Sequence, residues 1–175
     1  VDAIENIDIG GPSMIRASAK NFYNKAVLTH PDDYGSFINE LQNNDCSISE
    51  ETRRKLAVKA FNRTAMYDSI IHDFLSEKIE KESIPEAIPL GLKKISSLRY
   101  GENPHQNAGL YASINQSNSL TNAEIHQGKE LSYNNYLDAN TAMNCVMEFD
   151  HPACVIVKHV NPCGVAIGVD IKNAY

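Results

Sequence analysis

Val155-Ile156-Val157-Lys158-His159-Val160-Asn161-Pro162-Cys163-Gly164-Val165-Ala166-Ile167-Gly168 is the stretch on which the reading of this chain turns. Its apolar start reads as a buried strand. The strand ends on an ammonium and an imidazole, Lys158 and His159, and Asn161 to Gly164 carries the chemistry of a turn. Neighbours on a strand point to opposite faces unless the strand is ending. A Lys-His pair at such an end can therefore converge on one ligand. Imidazole titrates near neutral pH and accepts a proton, and an ammonium offsets charge that develops on an oxygen. The plainer alternative is a histidine with a purely structural role.

The rest of the chain is consistent with an α/β protein. With 175 residues it has room for one ordinary domain or pieces of two, and its 42% hydrophobic content is that of a globular protein. The net charge of −6 offers no basic field for nucleic acid. No apolar run approaches a membrane span. Cys46, Cys145, Cys154 and Cys163 form no CxxC pair, which reads as reduced thiols in a cytoplasmic setting. The start at Val1 rather than Met reads as a piece of a longer protein.

Upstream, residues 3–8 and 26–29 read as short strands. Pro12 suits the first position of a helix ending near Asn21, and Pro31-Asp32-Asp33 opens another with Phe37, Ile38 and Leu41 on its apolar side. Ser47 and Glu50 have the spacing of a capping box, predicting a long helix to about Lys81. Its apolar stripe is Leu56, Ala60, Phe61, Tyr67, Ile70, Ile71, Phe74 and Leu75. Arg53, Arg54, Lys55 and Lys59 read as a solvated or interdomain face. Two prolines in residues 82–91 mark a linker, which divides the chain into 1–90 and 91–175. Strands are expected over 92–99 and 109–113, a helix over 137–149, and a helix beginning at Asp170.

Three further clusters could carry chemistry. Asp8-Ile9-Gly10-Gly11 is a turn whose backbone N–H groups could meet an anion at a helix start, although paired glycines are common in loops. Lys20 lies more than two turns farther on and need not share that ligand. Arg99-Tyr100-Gly101-Glu102-Asn103-Pro104-His105-Gln106 gathers donors suited to phosphate, or forms a self-bonded loop. Asn134, Asn135 and Asp138 line a pocket or cap a helix. Pro162-Cys163 resembles part of the zinc deaminase signature. However, Ala166 stands where its second cysteine belongs and no His-x-Glu occurs, so no catalytic metal is expected.

Taken in order, IDIGGPSMIRASAKN (7–21), LRYGENPHQ (98–106), GKELSYNNYLDAN (128–140) and IVKHVNPCGVAIG (156–168) resemble the bifunctional AICAR transformylase/IMP cyclohydrolase family of purine biosynthesis, in its bacterial form. The resemblance implies the end of a Rossmann-like (methylglyoxal-synthase-like) cyclohydrolase domain followed by the start of a cytidine-deaminase-like transformylase domain. It implies formyl transfer from the cosubstrate 10-formyltetrahydrofolate to AICAR, then closure of FAICAR to IMP, in a cytoplasmic homodimer whose transformylase site draws on both subunits. His159 would be the base and Lys158 the transition-state partner. Arg99, Tyr100, Asn135 and His105 would hold AICAR. Asp8 and Ile9 would contact the cyclohydrolase nucleotide, with Lys20 as catalytic lysine. The folate pocket is expected outside these residues, and the 175 residues alone are expected to be inactive. The alternative is a non-catalytic interdomain connector and dimerisation module.

Overall fold

The computed structural model describes residues 2–76, 84–114 and 119–175. The chain separates into two compact units, Val1–Gly91 and Leu92–Tyr175. Among the described residues, the regular elements of the first are all helices; the second is mixed α/β with two small sheets.

In the first unit, α1 (Asp2–Glu5) stands where a strand was expected over 3–8. Residues 26–29 are not in a strand either. Their β-branched and aliphatic side chains favour extension, but a strand needs a partner ladder, and none of the described residues of this unit supplies one. The helices α2 (Gly10–Lys20) and α3 (Asp33–Asn43) form near Pro12 and Pro31 as expected, although α2 begins two residues before Pro12, at Gly10.

The long helix α4 runs Glu50–Ser76, and the expected extension to Lys81 lies outside the described residues. Its cap is not Ser47: the Ser49 hydroxyl accepts from the Thr52 N–H at 3.3 Å, and Ser47 turns back to the Asp45 carbonyl. Leu56, Ala57, Ala60 and Thr64 are buried at helical spacing. Ala57 and Ala60 meet Ala19 of α2, and Ile15, Phe22 and Val27 pack around them. Small side chains let α2 and α4 approach closely. Of the bulkier part of the predicted stripe, Phe61, Ile70, Phe74 and Leu75 stay 38–40% exposed, with Arg16 of α2 over the Phe61 ring, 5.5 Å from its centroid.

The basic run is also not simply solvated. Arg53 donates from Nε to the Phe22 carbonyl at 2.8 Å and from Nη1 to the Ile48 carbonyl, and Lys59 pairs with the buried Asp33 carboxylate. Arg54 lies over the Phe22 ring, 5.0 Å from its centroid. Two of the four cations thus hold loops and α3 onto α4, while Arg54–Glu50 and Lys55–Glu51 are exposed one-turn pairs of small energetic weight.

In the second unit, β1 (Leu92–Ser97) and β2 (Gly109–Ser113) form an antiparallel pair with a bulge between Lys94 and Ser96. A short 3-10 turn, Leu120–Asn122, precedes α5 (Tyr133–Val146), which starts four residues before the predicted helix and ends three earlier. The strands β3 (Ala153–Lys158) and β4 (Asn161–Ile167) pair antiparallel, with α5 packed against both. α6 (Ile171–Ala174) follows, capped by Asp170, whose Oδ1 accepts from the Asn173 N–H at 2.7 Å.

Two expectations about the opening stretch change here. Asn161–Gly164 is not a turn but the first half of β4. The turn is His159-Val160 alone, with Lys158 facing Asn161. Pro162 fits a strand because it sits beside a bulge: Val157 faces Pro162 while Ile156 faces Gly164, leaving Cys163 as the extra residue. The strand is not fully buried either, since Ile156 and Val165 are 50% and 47% exposed.

Gly168 stops the hairpin against α6. A Cβ there would lie 2.6 Å from the Ala174 nitrogen and 2.8 Å from the Asn173 carbonyl carbon. Both are backbone atoms, so Gly168→Ala is expected to cost about 1–3 kcal/mol by overpacking. A urea titration checks this, and an unchanged midpoint would refute it.

Candidate functional site

The candidate residues of the second unit, Asn135 of α5 and Lys158 of β3 apart, lie on two connections, both tied to α5. The first is the loop between β1 and β2. Its base is closed by the Leu98 N–H on the Ala108 carbonyl at 3.0 Å, and its interior by the Gly101 N–H on the Gln106 carbonyl at 2.9 Å. The Gln106 side chain accepts from the Asn103 N–H at 2.8 Å. Gly101 is buried, and a Cβ there would lie 3.0 Å from Gln106 Cβ. The octet is therefore a self-bonded loop, the plainer of its two expected forms, and it still presents side chains outward. Arg99 sits over its neighbour: its carbon Cζ is 4.8 Å from the Tyr100 centroid, and Nη2 donates to the phenol oxygen at 3.0 Å. His105 is exposed on the turn of this loop. A depression of about 410 Å³ at the loop's base is lined by Lys94, Ser97, Leu98, Asn107, Ala108, Gly109 and Tyr111, none of them a predicted site residue.

The second connection is the hairpin tip. His159 and Val160 have φ of 51° and 64°. A two-residue hairpin of this hand needs left-handed backbone at both positions, which is why Asn-Gly usually occupies it. Histidine tolerates that region, but a β-branched valine is a true outlier. Each such residue costs of order 1–3 kcal/mol, so the surroundings must hold it. Two hydrogen bonds do so. The Val160 N–H donates to Asp138 Oδ1 at 2.7 Å, and Asn161 Nδ2 donates to the His159 carbonyl at 2.7 Å.

α5 joins the two connections. The Tyr133 N–H donates to the Tyr100 carbonyl at 3.2 Å, and Asn134 Nδ2 donates to the Glu102 carbonyl at 3.0 Å. Asn134 and Asp138 are one turn apart and share a helix face. One face of α5 thus grips the loop that carries Arg99 and Tyr100 and the tip that carries His159. Lys158 is the last residue of β3, next to that tip.

Asn135 serves the helix itself. Its Oδ1 accepts from both the Ser132 N–H, at 3.1 Å, and the Ser132 hydroxyl, at 2.9 Å, completing a capping box. Only its Nδ2 group then remains for a ligand. Sequence reasoning missed Ser132, which is buried and also acts on Tyr100. It likewise gave Asp138 no separate task. The Ser-x-x-Asn spacing was the available signal for the first; nothing local marks the second.

The Arg99 hydrogen bond holds the Tyr100 phenol below the usual tyrosine range, with the Ser132 hydroxyl and then the Arg99 charge acting in the same direction. The depressed value favours phenolate, so any stabilisation from this pair is present at alkaline pH and fades as pH falls through the native value. Arg99→Ala is expected to move the Tyr100 transition up toward the free-tyrosine value of 10.0. Ultraviolet titration with Tyr100→Phe as the blank checks this, and an unmoved transition would count against the pairing.

In the first unit, Asp8 and Lys20 are not brought together. The Asp8 carboxylate turns onto the start of α2, with Oδ1 accepting from the Gly11 N–H at 3.1 Å. A Cβ on Gly11 would meet that carboxylate at 2.3 Å, so glycine is what admits it. The Asp8 N–H donates to the Tyr67 hydroxyl at 2.9 Å. Ile9 is 72% exposed beside it. Lys20 is exposed in the last turn of α2, roughly 15 Å along the axis from the first residue at 1.5 Å per residue. Among the described residues no group of three or more His, Cys, Asp or Glu side chains could hold a metal ion, and no helix is long and apolar enough to cross a membrane.

Comparison with known proteins agrees with the resemblance read from the motifs. The family model described as "AICARFT/IMPCHase bienzyme" matches residues 18–175. A relative from Persephonella marina, described as "bifunctional purine biosynthesis protein PurH", is 53% identical over 177 residues, covering 99% of this chain and 34% of its own. Proteins of the same description from Bacillus cereus (strain AH187) and Bacillus anthracis (strain CDC 684) are each 51% identical over 175 residues, with the same coverage. The chain spans about a third of the length of these curated relatives. By the match over 18–175 and the identity across nearly all its length, the chain belongs to the AICARFT/IMPCHase bienzyme family.

Proposed function

We propose that this chain supplies parts of two active sites of a bifunctional enzyme of purine synthesis. One transfers formyl from 10-formyltetrahydrofolate to the 5-amino group of AICAR; the other closes FAICAR to IMP. Residues 1–90 are read as the late part of a Rossmann-like cyclohydrolase domain. Residues 91–175 are read as the opening part of a deaminase-like transformylase domain, in a cytoplasmic homodimer.

The AICAR amine is a weak nucleophile because its lone pair delocalises into the ring and the carboxamide. As its nitrogen bonds to the formyl carbon, His159 takes the amine proton. Lys158 offsets the negative charge on the formyl oxygen. Collapse expels N10 of tetrahydrofolate, which takes up a proton. Arg99 and Tyr100 hold the nucleotide, with His105 and the Nδ2 group of Asn135 in support. In ring closure, the carboxamide nitrogen attacks the formyl carbon and water leaves. Asp8 and Ile9 contact that nucleotide, and Lys20 is the catalytic lysine. None of these steps calls on a metal. The 175 residues by themselves are expected to turn over neither substrate.

The observation that carries this reading is the double grip of α5, through Asn134 on the Glu102 carbonyl and Asp138 on the Val160 N–H. It supports a common task for the loop and the tip, which a connector role does not require. In the complete bienzyme, Arg99→Ala is expected to raise the AICAR KM by roughly 10–100-fold, since a hydrogen bond to a charged group contributes about 1.5–3 kcal/mol. Steady-state kinetics at varied AICAR checks it. A KM within about twofold of the parent would remove Arg99 from nucleotide binding.

A further inference from the structure

We infer that Asp138 is a positioning residue for formyl transfer, fixing the direction of the His159 imidazole; this rests on the reading of His159 as the base. The peptide unit between His159 and Val160 carries the Val160 N–H, so the acceptor of that N–H sets the plane of the unit and with it ψ of His159. That acceptor is Asp138 Oδ1, at 2.7 Å. It acts where the chain resists its own conformation, since Val160 has φ of 64° and a branched Cβ. Asn161 Nδ2 holds the His159 carbonyl from the other side, and Lys158 is paired with Asn161, so Asp138 is the one brace that comes from outside the hairpin among the described residues. It also ties the tip to the element that holds the Arg99 loop, through Asn134 on the same face. A base displaced by an ångström loses much of its effect, because proton transfer needs hydrogen-bond reach in a set geometry.

The role asked of Asp138 is that of an acceptor, and this separates it from a general structural carboxylate. In the complete bienzyme, Asp138→Ala is expected to lower kcat for formyl transfer by roughly 10–100-fold, as misplacement by about 1 Å can do. The AICAR KM and the cyclohydrolase rate should stay near those of the parent. Asp138→Asn keeps a carbonyl oxygen and should retain most of kcat. Adding Val160→Gly to Asp138→Ala should recover part of the loss, because glycine accepts positive φ without strain. Normal formyl transfer by Asp138→Ala would overturn the inference. So would an Asp138→Asn variant as slow as Asp138→Ala with no recovery in the double variant. If Asp138→Ala loses both activities by failing to fold, Asp138→Asn and the double variant decide on the same terms. His159→Ala is run alongside. If that variant transfers formyl normally, the parent reading fails. If it is inactive while Asp138→Ala is normal, only the positioning inference fails.

Discussion

His159→Ala in the complete bienzyme is expected to lower formyl transfer by about 10²–10⁴-fold, the range a placed general base contributes, while ring closure continues. The selectivity follows from where the residue sits. His159 is at the tip of the β3–β4 hairpin in the second unit, and the proposed cyclohydrolase residues Asp8, Ile9 and Lys20 are in the first. The second activity is therefore an internal control for folding and concentration in the same sample. Lys158→Ala should follow the same pattern with a loss of roughly 10²–10³-fold if its ammonium acts as an oxyanion-hole donor does. Assays of both half-reactions on one preparation check these values. Equal loss of both activities would point to a misfolded variant, and near-normal formyl transfer would take His159 out of the chemistry.

The second large effect is on stability. Ala60 is wholly buried where α2 meets α4, against Ala19 and Ala57. Leucine there has no space to enter without pushing the two helices apart. Ala60→Leu is expected to destabilise by about 1–3 kcal/mol, the usual cost of overpacking, which lowers Tm by several degrees. Ala65→Leu on the same helix is the control: Ala65 is exposed, and such surface changes usually stay within about 0.5 kcal/mol. Thermal melts of the two variants separate the cases. Equal melting temperatures would mean that the alanine contact is not tightly packed.

What the sequence reveals here depends on whether the determining contacts are local. Helix α3 follows from Pro31 and an acidic start, and β2 from an apolar run bounded by turn residues; both formed where expected. Residues 26–29 have strand composition but no ladder partner among the described residues, and a four-residue window cannot reveal that. The small-residue seam of α4 was half legible. Ala60 falls on it, but hydrophobicity alone ranks Phe61 and Phe74 above Ala57, and close helix approach reverses that order. The hairpin tip was the least legible. His-Val is a poor sequence for a left-handed turn, while Asn-Pro-Cys-Gly beside it has better turn chemistry. The turn that forms has its Val160 N–H on Asp138, 22 residues upstream. Likewise Arg99, Tyr100 and His159 were recognisable as candidates from residue type and motif order, whereas the Ser132 capping box and the grip of α5 that organises them are visible only once the chain is folded.

That grip has a consequence for how such a protein can change over time. Asn134 and Asp138 ride on one stiff rod, so a substitution that tilts α5 shifts the Arg99 loop and the His159 tip in the same stroke. Under the proposed roles, tilting the helix changes nucleotide binding and formyl transfer together, whereas a substitution confined to one end of it changes only one of them. A lineage that drifts along this rod must compensate at both ends at once, and lasting change is easier in the parts of the loop and hairpin that the rod does not touch.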